Sequence, residues 1–156
     1  MTLNKYVKMA AIVAGVTTAA TSASLAQDSS SSIFTVTGGF THNSVISKFT
    51  FGADYEYLVS DKFSIGAVYD YMSSGNGRSV YLVTANIRTI ENVRLTAGFG
   101  QEKFHNVGLK ADELFRVGAS YEFKMDNGMI FAPTVSADFV GGRKFLNTGI
   151  RLGKAF

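Results

Sequence analysis

Residues 49–57 read FTFGADYEY, and this stretch decides the fold. Its aromatic residues and one alanine alternate with threonine, glycine, aspartate and glutamate. Because successive side chains of a β-strand point to opposite faces, the pattern predicts a strand with one apolar and one polar face. The polar face carries Asp54 and Glu56. Whether these carboxylates face water or a closed interior depends on the rest of the chain.

The same alternation recurs along the chain, and no helical periodicity accompanies it beyond the N-terminal segment. It predicts eight strands of about nine to twelve residues, a length that suits a tilted bilayer crossing. Strands of soluble proteins average about five or six residues. The alternating residues that define these strands are 34–41, 49–57, 63–71, 81–88, 93–102, 115–124, 131–139 and 146–153.

The connections between these strands alternate in length. Tight turns are predicted at 59–62, 91–92 and 126–128, and Asn127-Gly128 is a strong hairpin signal. Longer loops are predicted at 42–48, 73–79, 105–112 and 140–144. Short periplasmic turns opposite longer outer loops are typical of an outer-membrane barrel, and an even strand count returns both termini to the periplasm.

The N-terminal residues resemble a secretory signal. Lys5 and Lys8 precede the apolar run 9–20, and small residues follow at Ser24 and Ala26. We expect cleavage after Ala26, with Ala23 as the alternative site. The run is shorter than the ~20 residues of a membrane-spanning helix. The expected domains are a signal peptide over 1–26, a polar leader over 27–32 and a barrel over 33–156.

Composition excludes several functional classes. The chain has no Cys, so it has neither disulfides nor thiolate metal sites. His42 and His105 lie far apart and form no ligand-spaced motif. We therefore expect no cofactor and no metal. A formal charge of +3 is too small to indicate nucleic-acid binding.

The polar faces of the predicted strands combine charge with glycine. Glycine weakens a solvated strand, whereas the narrow lumen of an eight-stranded barrel needs small residues. Six acids and five bases nearly balance there, which favours mutual pairing, because an unpaired buried charge costs several kcal/mol. The predicted lumen network consists of Asp54, Glu56, Asp70, Arg88, Arg94, Glu102, Arg116, Glu122, Lys124, Asp138 and Arg151.

The apolar faces carry aromatic residues near the strand ends and small residues between them. Two aromatic belts around an aliphatic band are typical of membrane barrels. The alternative is a soluble β-sandwich with scattered core aromatics. The predicted belts include Phe34, Tyr57, Phe63, Tyr69, Tyr71, Tyr81, Phe115, Tyr121, Phe123, Phe131 and Phe139.

With these features the chain resembles the small eight-stranded outer-membrane β-barrel proteins of Gram-negative bacteria, of the OmpX and OmpA transmembrane-domain type. The resemblance implies an all-β, up-and-down antiparallel barrel in the outer membrane. It also implies a C-terminal signal read by the barrel-assembly machinery, which Ile150, Leu152 and Phe156 match and Lys154 does not. The implied partners are outer-membrane lipid, lipopolysaccharide and that machinery, and we expect a monomer.

Three functions fit this architecture. We expect a structural, envelope-integrity or surface-interaction role, with the lumen closed by its own side chains. The alternative is a narrow or gated pore. Five cationic residues near the outer end could pair with lipopolysaccharide phosphates, although we favour solvated loop charges; they are Arg78, Lys103, Lys110, Arg143 and Lys144.

A lipid A-modifying enzyme is the third and least favoured function. His42 and Ser44 have the His-x-Ser spacing of outer-membrane lipid A deacylases, and Glu56 follows fourteen residues after His42. A catalytic triad requires its members within hydrogen-bond reach. In the predicted hairpin, Glu56 lies in the periplasmic half of the lumen and His42 at the outer loop. We therefore expect no enzyme activity.

Overall fold

The computed structural model is a closed antiparallel β-barrel and describes residues 32–156 except 44, 46, 74–76, 91 and 105–110. Both the predicted signal peptide and most of the polar leader lie outside the described residues. The strand segments are β1 (Ser32–His42), β2 (Ser47–Leu58), β3 (Phe63–Met72), β4 (Arg78–Ile90), β5 (Val93–Phe104), β6 (Asp112–Tyr121), β7 (Phe123–Lys124), β8 (Met129–Val140) and β9 (Arg143–Ala155).

Neighbouring segments pair in sequence order, and β1 pairs with β9. β6 and β7 both pair with β8 and act as one strand that is interrupted at Glu122. The interruption lies opposite the stretch of β8 that contains Pro133, which has no N–H to donate to a neighbouring strand. The nine segments therefore form eight strands, and the predicted eight-stranded up-and-down barrel is confirmed.

The two ends of the barrel differ. Ser32 and Phe156 lie at one end, which we call the terminal end, together with the turns after β2, β4 and β7. The opposite end, which we call the loop end, carries the other connections. In the terminal-end turn before β8, Gly128 has a φ of +78° and its N–H donates to the Met125 carbonyl at 3.0 Å.

The prediction of a longer loop at 140–144 is wrong, because β8 and β9 are joined by Gly141 and Gly142 alone. Their φ angles are +51° and +79°. Two consecutive left-handed residues make a type I′ turn, whose twist matches that of the flanking strands. Glycine adopts these angles without a steric penalty, so the hairpin closes as tightly as the chain allows.

Alternation along each strand separates an inner from an outer surface. On β2, for example, Asp54 and Glu56 are buried while Tyr55 and Tyr57 are exposed. The inward positions hold nearly all of the buried charged residues, and the outward positions hold most of the exposed aromatic and aliphatic ones. The fold is thus polar inside and apolar outside, the reverse of a soluble β-sandwich.

Candidate functional site

The interior of the barrel concentrates the chemistry of this chain. Of the eleven charged residues that the sequence assigns to the lumen, ten lie in the interior and all ten form ion pairs. Their carboxylates are almost fully shielded from solvent, with Glu56 1 % and Glu102 0 % exposed. The ion pairs fall into three groups along the barrel axis.

The first group, which we call the terminal cluster, is built around Glu56. Arg88 Nη2 lies 2.7 Å from Glu56 Oε1, and Arg88 Nε donates to Glu122 Oε2 at 3.0 Å. Arg94 Nη2 lies 3.0 Å from Glu56 Oε2. Ser64 also donates its hydroxyl hydrogen to Glu56. The Glu56 carboxylate therefore bridges two guanidinium groups, an arrangement that fixes it in a site with little water.

Arg151 completes the terminal cluster. Its Nη2 lies 2.5 Å from Asp54 Oδ2 and donates to Thr35 Oγ1 at 3.2 Å. With Arg88, Arg94 and Arg151 against three carboxylates, the cluster is electrically neutral. Neutrality is the condition under which buried ions are tolerated, because desolvation of an unpaired charge is costly.

The middle group consists of Arg116 with Asp70 and Asp138. Arg116 Nη1 lies 2.5 Å from Asp70 Oδ2, and its Nε and Nη2 donate to Asp138 at 2.6 and 2.9 Å. Asp138 is the cross-strand neighbour of Arg116, whereas Asp70 comes from β3 on the other side of the lumen. Arg116 therefore spans the interior and ties opposite walls together through a bidentate contact.

The third group lies at the loop end and includes a residue that sequence reasoning misplaced. We predicted Arg78 as a surface cation, but it is 3 % exposed and forms an ion pair with Glu102. The β4 strand begins at Arg78 and places it on the inward face. The guanidinium stacks on Phe145, 4.2 Å from the ring centroid. The alternation of β4, followed from Arg88 towards the N-terminus, would have identified Arg78 as an inward-facing residue.

Lys124 is the one predicted lumen residue that the structure places elsewhere. It is exposed, in the last paired position of β7 before the turn at the terminal end. Its partner in register, Ile130, occupies the interior at that level. A lysine at the rim extends its long side chain past the end of the barrel, where the ammonium group stays hydrated. With Arg78 replacing Lys124, the three ion-pair groups hold six acids and five bases.

Apolar side chains also line the interior towards both ends, and the sequence prediction did not include them. At the terminal end, Ile33, Ile130 and Ala132 pack together. A larger cluster lies towards the loop end and packs against Val68. Its members lie on the same alternating face of their strands as the charged residues of the lumen. That alternation in the sequence is the signal that could have revealed them. They are Val80, Leu82, Leu114, Val140 and Phe145.

Three cavities follow one another through the interior, and Thr41 lines all of them. A cavity of about 210 Å³ lies at the loop end. A central cavity of about 80 Å³ is lined mainly by hydroxyl-bearing and charged residues. Between them, beside Arg116 and Asp138, only about 10 Å³ remains. Since one water needs roughly 10–15 Å³, the middle ion group is a constriction.

The outer surface carries the residues of the predicted aromatic belts at outward-facing positions. Near the terminal end, the ring of Phe123 lies 4.8 Å from that of Tyr121 and 5.9 Å from that of Phe131. Towards the loop end, Tyr69 and Tyr81 lie 5.1 Å apart. Of the predicted set, Phe63, Tyr71 and Phe131 are half-buried and the remaining eight are exposed; these are Phe34, Tyr57, Tyr69, Tyr81, Phe115, Tyr121, Phe123 and Phe139.

The residues of the predicted assembly signal lie on the closing strand. Ile150 and Leu152 of β9 are outward-facing and exposed. Phe156 follows β9 and exchanges backbone hydrogen bonds with Ser32. Lys154 is also outward and lies beside Phe34 on β1. Ile150, Leu152 and Lys154 therefore share the outward face of β9.

The loop-end cations have different environments. Lys103 Nζ lies 5.5 Å from the Tyr81 ring centroid, and Lys144 Nζ lies 5.7 Å from that of Phe139. Arg143 is half-exposed and contacts Asp112 at 3.2 Å. Lys110, like His105, lies outside the described residues. Lys103 and Lys144 thus lie over outward-facing aromatic rings near the loop end, where amphipathic cations and aromatic rings commonly meet.

The hypothetical triad is not assembled by the described residues. His42 is on the outward face at the loop end, where its Nε2 lies 3.1 Å from Thr148 Oγ1. Glu56 pairs in register with Ile33, at the far end of β1 from His42. Glu56 and His42 are therefore about 30 Å apart along the strand at ~3.3 Å per residue. Ser44 lies outside the described residues.

In the described part of the chain, no three His, Asp, Glu or Cys side chains are placed to hold a metal ion. We also find there no helix with the length and apolarity needed to cross a bilayer.

Comparison with known proteins identifies the fold. No family model and no curated protein sequence matches the chain. Among solved structures, the N-terminal β-barrel domain of Pseudomonas aeruginosa OprF matches with a TM-score of 0.66 at 10% identity, covering 83% of this chain and 100% of that domain.

Two further solved structures match as well. Neisserial surface protein A gives a TM-score of 0.55 at 9% identity, and the attachment invasion locus protein Ail of Yersinia pestis gives 0.52 at 16%. Each match covers 80% of this chain and 96% of the other. At such identities the likeness shows the fold alone: this chain has the fold of the small eight-stranded outer-membrane barrels.

Proposed function

We propose that this protein is an integral barrel of the Gram-negative outer membrane, exported by a signal peptide over 1–26, with a structural, envelope-integrity or surface-interaction role. The observation that carries the proposal is the inversion of its two faces. Ions such as Arg88 and Glu56 are buried in the interior, while aromatic and aliphatic residues cover the outside. An exposed apolar surface on this scale requires a covering, and a bilayer supplies one.

The aromatic residues support this environment at both ends of the barrel wall. Tyr121 and Phe123 lie near the terminal end, and Tyr69 and Tyr81 lie towards the loop end. Smaller outward residues such as Ala67 and Ala85 lie between the two levels. Aromatic rings at two levels match the two interfaces of a membrane. Lipid, lipopolysaccharide and the barrel-assembly machinery are the partners that this proposal implies, for a barrel that acts as a monomer.

The ion pairs support a lumen that is closed to solutes rather than an open channel. The terminal cluster crosses the interior between β2, β4, β5 and β9, and Arg116 crosses it again at mid-height. Eight strands leave space for little more than their own side chains. Under this proposal the protein contributes its outer surface and its loop end to function, and the interior serves stability.

Two measurements test the proposal. After cell fractionation, we expect the protein in the outer membrane, with a gel mobility that changes on boiling. In planar bilayers the wild-type barrel should give no large steady conductance. Recovery from the soluble periplasm would refute the membrane location, and a wide channel would refute the closed lumen.

The second candidate function is a narrow or gated pore, and the row of cavities favours it. Between the loop-end and central cavities lies the small space beside Arg116 and Asp138. A transient opening of that constriction would connect them. Brief, low-amplitude events in bilayer recordings, altered by substitution of Arg116, would favour this candidate over the purely structural one.

A further inference from the structure

The loop-end cavity, which we call the mouth cavity, has an unbalanced charge. It measures about 210 Å³, and its lining includes Lys48, Arg78 and Arg143 against the single carboxylate of Glu102. Asp112, which pairs with Arg143, adds a second carboxylate nearby. The surroundings therefore keep a net positive charge, unlike the neutral terminal cluster at the other end of the lumen.

Arg78 is a buried side chain with an unused hydrogen-bond donor. Its side chain is 4% exposed and forms one ion pair, with Glu102. Its Nη2 has no hydrogen-bond partner among the described residues. A buried donor without a partner destabilises a fold, so a small shift of the side chain that brings Nη2 to an anion in the cavity would satisfy it. The stacked ring of Phe145 holds the guanidinium plane in place at 4.2 Å.

The two other cations leave room for a ligand. Lys48 is half-buried on the inward face of β2 and forms no ion pair with any carboxylate in the described part of the chain. Arg143 divides its Nη2 between Asp112 at 3.2 Å and Glu102 at 3.8 Å, and its side chain is 49% exposed. Both cations can turn towards an incoming anion without first breaking a short, buried contact.

We propose that the mouth cavity binds a small anionic group of the phosphate or sulfate ester class. Two guanidinium groups and an ammonium group converge on it, the donor set that recognises tetrahedral oxyanions. The volume is below the ~300–1,000 Å³ of sites for drug-sized ligands, so it takes a small ester or the charged end of a larger molecule. This site goes beyond the proposed structural role.

Position in the barrel defines how the anion arrives. Lys48, Arg78 and Arg143 are inward-facing residues of β2, β4 and β9, so the site opens to the aqueous end and not to the lipid-facing wall. A soluble phosphate ester reaches it directly. The phosphate of a neighbouring lipopolysaccharide reaches it only over the rim. Both sources present the same chemistry, and the experiment separates them.

The test is a two-dimensional NMR titration of the isotope-labelled full chain, folded in phosphatidylcholine nanodiscs. Inorganic phosphate and glucose 1-phosphate are the probes, and glucose is the neutral control. We expect saturable shifts at residues 48, 78 and 143 with both phosphates and none with glucose. Lys48→Gln combined with Arg143→Gln should weaken binding about tenfold, because charge-assisted contacts are lost.

Lys144→Gln is the matched control, since Lys144 neighbours Arg143 but lies on the outward face over Phe139. It should leave the titration unchanged. Heat-modifiable gel migration of every variant reports folding separately, so a misfolded variant is not mistaken for a lost site. Arg78 is left intact because its removal leaves Glu102 without its closest cation.

A second set of nanodiscs contains lipopolysaccharide and no added phosphate. Shifts at the same three residues that need Lys48 and Arg143 would support the site and identify the lipid as the source. Shifts with glucose 1-phosphate alone would support a soluble ligand. If neither phosphates nor lipopolysaccharide produce shifts that depend on these two cations, in a barrel that remains folded, the proposal is overturned.

Discussion

Ser32 and Phe156 exchange both of their backbone hydrogen bonds and so form the last pair of the seam that closes the barrel. The Ser32 N–H donates to the Phe156 carbonyl at 3.1 Å, and the Phe156 N–H donates to the Ser32 carbonyl at 2.9 Å. The backbone of Phe156 therefore continues the β1–β9 pairing by one residue. This contact gives a structural basis for testing the predicted assembly signal.

Deletion of Phe156 should impair assembly far more than Lys154→Leu. The deletion removes a backbone pair from the seam together with the terminal aromatic ring, whereas a leucine side chain in place of Lys154 would suit an outward position beside Phe34. The measurement is the heat-modifiable fraction in isolated outer membranes. Equal assembly of the wild type and the deletion would remove the assembly-signal interpretation.

Gly39 and Gly38 provide a matched pair of tests for seam packing. A Cβ atom at Gly39 would lie against the Thr148 carbonyl and 2.7 Å from the Gly149 Cα, but one at Gly38 would meet nothing within 4 Å. We expect Gly39→Val to prevent closure of β1 on β9, because the backbones cannot separate without losing their hydrogen bonds. Gly38→Val adds only an outward apolar side chain and should assemble normally.

Heat-modifiable migration and resistance to added protease measure both variants. A compact, protease-resistant Gly39→Val barrel would contradict the close approach that the structure shows. Failure of Gly38→Val would contradict the lipid-facing assignment of that position.

Arg88→Gln should cost about 3–5 kcal/mol of unfolding free energy, because it leaves Glu56 and Glu122 buried with too little positive charge. Lys124→Gln is the control. The sequence pattern places both cations in the same lumen network, but Lys124 is exposed at the rim, so its loss should change stability by no more than about 0.5 kcal/mol. Urea unfolding in lipid vesicles measures both. Similar losses for the two variants would contradict the exposed position of Lys124.

Sequence alternation predicted the fold and most of the interior because the period of two is a local property of each strand. Asp54 and Glu56 could be assigned to one face from residues 49–57 alone. Strand ends were less predictable, since alternation does not say where pairing stops. Arg78 and Lys124 are therefore the two misplaced cations: one strand begins earlier than its apolar residues suggest, and the other ends in solvent.

The partners within the network could not be predicted either. Arg151 and Asp54 are separated by 97 positions in sequence, and Arg116 and Asp70 by 46. Which side chains meet inside a barrel depends on strand tilt and stagger, quantities that no local pattern contains. The sequence alternation showed which face Leu82 and Leu114 occupy. Their packing against one another inside the barrel depends on strand tilt and stagger, which the alternation does not contain.

Under the narrow-pore candidate, Arg116→Ala should increase ion conductance. The substitution removes the guanidinium group that joins Asp70 to Asp138 at the narrowest part of the interior and merges the spaces on either side. Planar bilayer recording is the measurement, and the wild type and Lys103→Ala, an outward-facing change, are the controls. An unchanged, silent Arg116→Ala barrel would show that the terminal cluster blocks the lumen by itself.

The terminal cluster has a consequence for how this chain reaches its final state. Its acids come from β2 and from the interruption between β6 and β7, and its bases from β4, β5 and β9. The β1–β2 hairpin does not neutralise its own charge, because it brings Asp54 and Glu56 but none of the three arginines. Inserting one hairpin at a time would therefore expose bare ions to hydrocarbon. For the proposed membrane barrel, the placement of countercharges favours insertion of β2 together with the strands that carry its arginines, and the cluster is neutral only once β9 has brought Arg151.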